Sequence, residues 1–155
     1  MKDKTEYIRD WFQKARSDLK IARDEMATPD PATDAVCFHF QQAVEKMLKT
    51  WLIWRDIQFR PVHNIEVLLK QCEEDTQSFA QLREAEGLTP YAVDVRYGDD
   101  FYLPSREETE EAARVARDVE TFILARFAAA GINPVRERVP GAPPQGGTPA
   151  PESSG

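Results

Sequence analysis

Residues 37–52 read CFHFQQAVEKMLKTWL. Apolar side chains at Cys37, Phe40, Val44, Met47, Leu48, Trp51 and Leu52 return every three or four positions, the spacing that gathers them on one face of an α-helix. The rest of the stretch is chemically busy, with a thiol, an imidazole, amides and ammonium groups in close succession. Helical geometry sorts them. Cys37, Phe40, Val44 and Met47 share one stripe, while His39, Gln42, Lys46 and Lys49 fall on another that is rotated away from it. A cysteine–histidine nucleophilic pair needs its two groups within hydrogen-bond reach, so Cys37 and His39 are not expected to act together. Gln42 and Lys46 are candidate ligands for a phosphate-bearing molecule. The competing reading makes their stripe a solvated or partner-facing surface, with Glu45 supporting Lys49 as an i,i+4 pair worth about 0.2–0.5 kcal/mol.

Upstream, Ile8, Trp11, Phe12, Ala15, Leu19, Ala22 and Met26 recur at the same spacings, which predicts a helix from Tyr7 to about Ala27. It ends in the turn TPDP, where Asp30 is a candidate N-cap and Pro31 suits the first position of the next helix, because the N–H it lacks would be unpaired there. Downstream, Pro61 cannot sit inside a helix and disfavours helical geometry at Arg60, so FRPVHN is read as a loop. A third helix starts near His63 or Asn64, with Ile65, Leu68, Leu69 and Cys72 facing inward. From Asp75 to Tyr97 the pattern weakens: Phe79 and Leu82 suggest a helical piece, Gly87 a stop, and Thr89 with Pro90 a new start. RYGDDFYLPS, residues 96–105, reads as an ordered loop. Ser105 and Glu108 form an S-x-x-E capping box opening a last helix, with Ala112, Val115, Ala116, Val119, Phe122, Ile123 and Phe127 inward.

Beyond residue 130 the chain turns rich in Pro, Gly and Ser and poor in apolar residues, so residues 131–155 are expected to form a disordered tail behind a helical domain over residues 1–130. Strand-period alternation and long repeats do not appear, which predicts an all-α, antiparallel up-and-down bundle of four to five helices. With 155 residues, 41% hydrophobic and 30% charged, the composition fits one globular domain. The net charge of -7 argues against non-specific coating of nucleic acid, whose affinity comes from neutralising many phosphates. Cys37 and Cys72 lack zinc-site spacing and are expected to be packed, reduced thiols. MKDKTEYIRD carries no apolar signal segment and no run suits a bilayer span, so the expected location is the cytoplasm, with no membrane partner.

Four phrases in this order, WFQKARSDLKIA (residues 11–22), CFHFQQAVEKMLKTWL (37–52), RPVHNIEVLL (60–69) and RYGDDFYLPSREETEEA (96–112), together resemble the HEPN (higher eukaryotes and prokaryotes nucleotide-binding) domain family. The resemblance implies a helical bundle that dimerises. It also implies one of two roles: a nucleotide-associated binding module partnering a minimal nucleotidyltransferase, as in toxin–antitoxin pairs, or a metal-independent ribonuclease toxin. The ribonuclease branch places four to six residues between an Arg and a His. Here Arg60 leaves two before His63 and Arg55 leaves seven, so the motif as usually written is absent. The leading expectation is therefore a non-catalytic module without a cofactor or metal. The alternatives are a dimeric ribonuclease using His63 with Arg60 or Arg55, and a structural or regulatory scaffold without nucleotide affinity.

The candidate ligand-binding residues are Gln42, Lys46, Arg60, His63, Arg96 and Tyr97. An imidazole suits proton transfer near neutrality, but His63 equally suits a backbone-bonding role at a helix start. Arg96 and Tyr97 pair an anion-binding fork with a flat ring able to stack on a base, or else Tyr97 packs its loop while Arg96 meets Asp99 or Asp100. Asp94, Asp99 and Asp100 do not match a calcium loop.

Overall fold

The structure, a computed structural model, describes residues 2–93, 98 and 101–136. Four α-helices dominate: α1 (Lys4–Met26), α2 (Thr33–Trp54), α3 (Ile65–Asp75) and α4 (Arg106–Ala129). Between α3 and α4 lies a run of 3-10 turns, Gln77–Ala92, broken at Leu82, whose backbone leaves helical geometry. The all-α bundle expected from the hydrophobic periodicity is thus present.

Capping residues set most of the boundaries. Asp3 and Glu6 form a capping box that starts α1 at Lys4, three residues before the expected start at Tyr7, because a cap serves backbone donors and not the core. Ser105 and Glu108 do the same for α4: the Glu108 N–H donates to Ser105 Oγ at 3.1 Å and the Ser105 N–H to Glu108 Oε2 at 2.9 Å. Asn64 caps α3 by accepting from the Val67 N–H at 3.2 Å. The start of α2 differs from the reading of Asp30 and Pro31. Its N-cap is Ala32, whose N–H donates to Glu25 Oε2 of α1 at 3.0 Å, so a carboxylate from the preceding helix does the work assigned to Asp30.

Contacts at the helix ends fix the directions. Lys4 at the start of α1 donates to the Trp54 carbonyl at the end of α2 at 2.9 Å, and the same ammonium lies 2.8 Å from Asp56 Oδ2, so α1 and α2 are antiparallel. Asp56 takes a left-handed φ of 58°, a conformation costly for most L-residues and tolerated by Asp, and this ends α2. The chain then doubles back along α2: His63 reaches Glu45, Cys72 lies under the Leu48 carbonyl, and Asp75 meets Trp51 and Arg55. Hence α3 runs in the same sense as α2, one departure from strict up-and-down alternation. The 3-10 run returns, and α4 follows α2 from Cys37–Thr109 to Trp51–Phe127.

In this arrangement α2 is the central element. Of its 22 residues 13 are buried, more than one stripe supplies, so its polar residues are enclosed along with its apolar ones. Trp51 anchors the aromatic core, 5.2 Å from Phe127 and 5.4 Å from Phe79 between ring centroids, with Phe79 in turn 5.0 Å from Phe122. After α4, Gly131 adopts a φ of 78° and the Ile132 N–H returns to the Phe127 carbonyl at 2.9 Å, a glycine-terminated helix end. Pro134 is buried, Ile132 and Val135 pack on the core, and Arg9 Nε donates to the Asn133 carbonyl at 3.1 Å. The packed chain therefore runs past residue 130, through residue 136. Three apolar side chains and one arginine suffice to seat residues 131–136. The rest of the expected tail, residues 137–155, lies outside the described residues. Among the described residues no helix is long and apolar enough to cross a membrane.

Both thiols are fully buried. Burial pushes Cys37 up to about 11 against the opposing effect of its hydrogen bond to Thr109, and burial likewise pushes Cys72 well above the ordinary thiol range. Since the thiolate is the reactive form, neither cysteine should react with an aromatic disulfide reagent in the native protein at neutral pH. Both should react at once in denaturant, and native-state labelling of either would contradict the packing described.

Candidate ligand-binding site

The polar residues enclosed with α2 gather around two carboxylates. Asp18 projects from α1 and is only 7% exposed. Its Oδ1 lies 2.9 Å from His39 Nδ1 and its Oδ2 2.5 Å from Lys46 Nζ. His39 and Lys46 are seven residues apart, two helical turns on one face, and Asp18 bridges them. The stripe that pointed away from the core thus points at α1.

Glu45 is the second centre and is 2% exposed. Lys49 Nζ donates to its Oε1 at 2.7 Å, and His63 Nδ1 lies 3.0 and 3.2 Å from its two oxygens. The amides of Gln41 and Gln42 donate to Oε2 at 3.2 and 3.4 Å, and Gln42 also donates to Gln41 Oε1 at 2.7 Å. An ionised carboxylate removed from water is tolerated only when paired and fully hydrogen-bonded. Here an ammonium, two amides and an imidazole meet that requirement. The i,i+4 pair Glu45–Lys49 is therefore not the solvated surface pair that spacing suggested. Lys49 is 8% exposed, and its ammonium lies 5.5 Å from the centroid of Phe59, which folds over it from the loop.

Both histidines are held by the same atom. A carboxylate on Nδ1 keeps a proton there, so in the neutral ring Nε2 is left as an acceptor. In His39 the side chain is 26% exposed. In His63 it is 68% exposed while Glu45 beneath it is 3% exposed, so a buried anion holds an imidazole whose Nε2 edge opens to water. Arg60, three residues earlier, is exposed; its carbonyl accepts from the Val62 N–H at 2.8 Å, and its guanidinium has no ion-pair or hydrogen-bond partner among the described residues.

The other candidates are placed differently. Lys46 is already paired with Asp18, and the amide of Gln42 is spent on Gln41 and Glu45. Arg55 Nε donates to both oxygens of Asp75, at 3.1 and 3.0 Å, with the Trp51 indole at 3.3 Å. Partial burial pushes Asp75 up, but Thr76, Arg55 and Trp51 together outweigh it and leave the carboxyl below its ordinary range. Arg55 is a structural residue here. Arg96 and Tyr97, like Asp94, Asp99 and Asp100, lie outside the described residues. Among the described residues, no group of three or more His, Cys, Asp and Glu side chains is placed to hold a metal ion.

Sequence reasoning missed Asp18, Gln41 and the anchoring role of Glu45. The available signal was positional: Asp18 lies next to Leu19 and between Ala15 and Ala22 on the inward side of α1, and Glu45 lies one turn before Leu48. An acid inside an apolar stripe marks an enclosed, paired carboxylate.

The family model of the HEPN domain matches residues 8–126. The crystal structure of ST0689, an archaeal HEPN homologue, is similar at 25% sequence identity and a TM-score of 0.63, covering 82% of this chain and 99% of that one. No curated protein matches. The matched span contains Asp18, His39, Glu45, Lys46, Arg60 and His63, so both carboxylate centres belong to the shared domain.

Glu45→Ala should destabilise the fold by about 3–5 kcal/mol, because it strands the buried Lys49 ammonium. Lys49→Met should cost less than half of that, since Glu45 keeps its amide and imidazole donors. Urea unfolding followed by circular dichroism checks the order, and equal or reversed costs would contradict Glu45 as the centre.

Proposed function

The chain belongs to the HEPN domain family, and from that premise we propose that it is a non-catalytic binding module which receives the phosphate of a nucleotide at the Arg60–His63 loop. The observation that carries this reading is the His63 ring, fixed from beneath by a buried carboxylate yet largely exposed, on the same loop as the exposed guanidinium of Arg60. An oriented imidazole and an exposed guanidinium are complementary to a phosphate: Arg offers a two-pronged donor, and the ring donates from Nε2 when that nitrogen carries a proton. Lys46 and Gln42 act behind this pair. They hold α1 and the amide ladder in place and are not free to turn toward a ligand.

The partners that go with the reading are those the family resemblance implies: a second copy of the chain, and a minimal nucleotidyltransferase as in toxin–antitoxin pairs. A solvent-facing loop with one oriented ring suits completion by another protein, because a single protomer leaves most of a bound nucleotide uncovered.

The same His63–Glu45 pair also favours a second reading, a metal-independent ribonuclease. A carboxylate-held imidazole is the usual form of a general base: it would take the proton of a ribose 2'-hydroxyl as that oxygen bonds to phosphorus and the bond to the 5'-oxygen breaks, the leaving oxygen taking a proton from the imidazolium or from water, while Arg60 meets the negative charge developing on the phosphoryl oxygens. Arg55 is withdrawn from this scheme by Asp75. The arginine in it is Arg60, or one supplied by a second protomer.

Titration with ATP and with GTP, followed by melting temperature, tests the first reading. Saturation should raise the transition, a ligand at 100 times its dissociation constant adding about 2.7 kcal/mol, and His63→Ala or Arg60→Ala should remove the effect. A folded wild-type protein with no shift from either nucleotide would overturn it. Cleavage of RNA in the presence of EDTA, lost in His63→Ala, would replace it with the second.

A further inference from the structure

Phe101, Tyr102 and Leu103 follow one another in the irregular segment before α4 and are 65, 45 and 54% exposed. Single exposed apolar side chains are ordinary, but three in a row make a patch. A buried aromatic side chain covers about 150–250 Å², so these exposures together leave on the order of 300 Å² of apolar surface in water, the size at which a patch on a monomer is often functional. The segment is also held in place. The Phe101 N–H donates to the Gly98 carbonyl at 3.1 Å, the Tyr102 hydroxyl donates to Glu108, and Pro104 is buried directly after. The three side chains are thus presented to solvent from a fixed backbone.

The first two turns of α4 beside the patch carry Glu107, Glu108, Glu110 and Glu111 against one cation, Arg106. That rim repels an acidic segment and leaves an uncharged one unopposed. Residues 139–151, VPGAPPQGGTPAP, are such a run: none is charged in a chain that is 30% charged, and five of its 11 prolines fall there. The described chain ends near enough to deliver them. Arg136 is paired with Asp10 and shares a groove with Arg23 of α1 and Glu120 of α4. From Glu120 back to Arg106 is about 21 Å of helix, and the 24 residues of α4 span about 36 Å. Extended proline-rich chain covers about 3.1 Å per residue, so these distances take about seven to twelve residues, which brings residues 143–148 to the patch.

We propose that the proline-rich segment of residues 140–151 docks on Phe101, Tyr102 and Leu103 of its own chain. Proline-rich segments favour an extended form before they bind, so little entropy is lost on docking, and exposed aromatic rings are the surfaces that receive them. Tethering adds to this. A segment on a short linker meets its site at an effective concentration of about a millimolar, so a contact too weak to form between separate molecules is populated within one. The inference does not depend on the Arg60–His63 loop.

A spin label on the full chain tests it. Both native thiols are buried, so Thr148→Cys takes a nitroxide at that position alone. The amide resonances of Phe101, Leu103 and Arg106 should then lose about half of their intensity or more, and that of Lys70, exposed on α3, should keep its own. Phe101→Ser/Leu103→Ser alters exposed side chains only and should restore Arg106 without moving the melting curve. Replacing Pro143, Pro144, Pro149 and Pro151 by Gly leaves the helical bundle untouched and should restore it too. The proposal is overturned by undiminished Phe101 and Leu103 resonances, by an equal loss at Lys70, or by losses that persist in either variant. Mixing labelled chains with isotope-enriched, unlabelled ones should give no loss; a loss as strong as within one chain would assign the patch to the segment of a second copy and overturn the intrachain contact.

Discussion

A carboxylate buried in the middle of the central helix sets the conditions for the rest of this structure. Glu45 is out of water and must be surrounded by donors or pay a desolvation cost of several kcal/mol. One helix cannot supply them all. Gln41, Gln42 and Lys49 come from α2 itself, but His63 has to be brought by a loop, and that requirement folds residues 55–64 back along α2. The consequence is topological. Because the loop retraces α2 before α3 begins, α3 starts at the level of Glu45 and runs with α2 instead of against it, which places Cys72 and Asp75 beside Leu48 and Trp51.

Asp18 plays the matching part on the other side. It reaches from α1 to His39 and Lys46, so α1 and α2 are joined by charge as well as by apolar packing. Each carboxylate therefore holds one lysine and one imidazole, and each joins α2 to a different neighbour. Such enclosed pairs add less to net stability than well-packed apolar groups would, but removing one partner is costly, so they tie the register of the packing to the presence of every member. In this fold the same bonds that fix register also fix the direction of the two imidazoles, and the exposed one stands on the loop that carries Arg60.

How far this was legible in the sequence depends on which kind of signal each feature emits. Helices α1, α2 and α4 were readable because apolar residues at three- and four-residue spacing report burial directly, and the box at Ser105 and Glu108 reports a helix start. The start of α2 was not readable from Asp30 and Pro31, because the group serving its backbone is Glu25, a residue of another helix. The enclosed polar cluster was hidden for a similar reason. Glu45 followed four residues later by Lys49 looks the same on a wet surface and inside a bundle, and only the loop and Phe59 above it decide which. His63 could be singled out as an imidazole near a loop, but its partner lies 18 residues back, a distance that no local pattern expresses.

Charge counting connects these pieces. Glu45 and Lys49 cancel, as do Asp18 and Lys46, so Arg60 is the one cation by the loop whose guanidinium is left uncompensated among the described residues. The uncompensated charge therefore stands at the surface, on the same loop as the ring that Glu45 holds, while the lysines enclosed with α2 are answered within the fold.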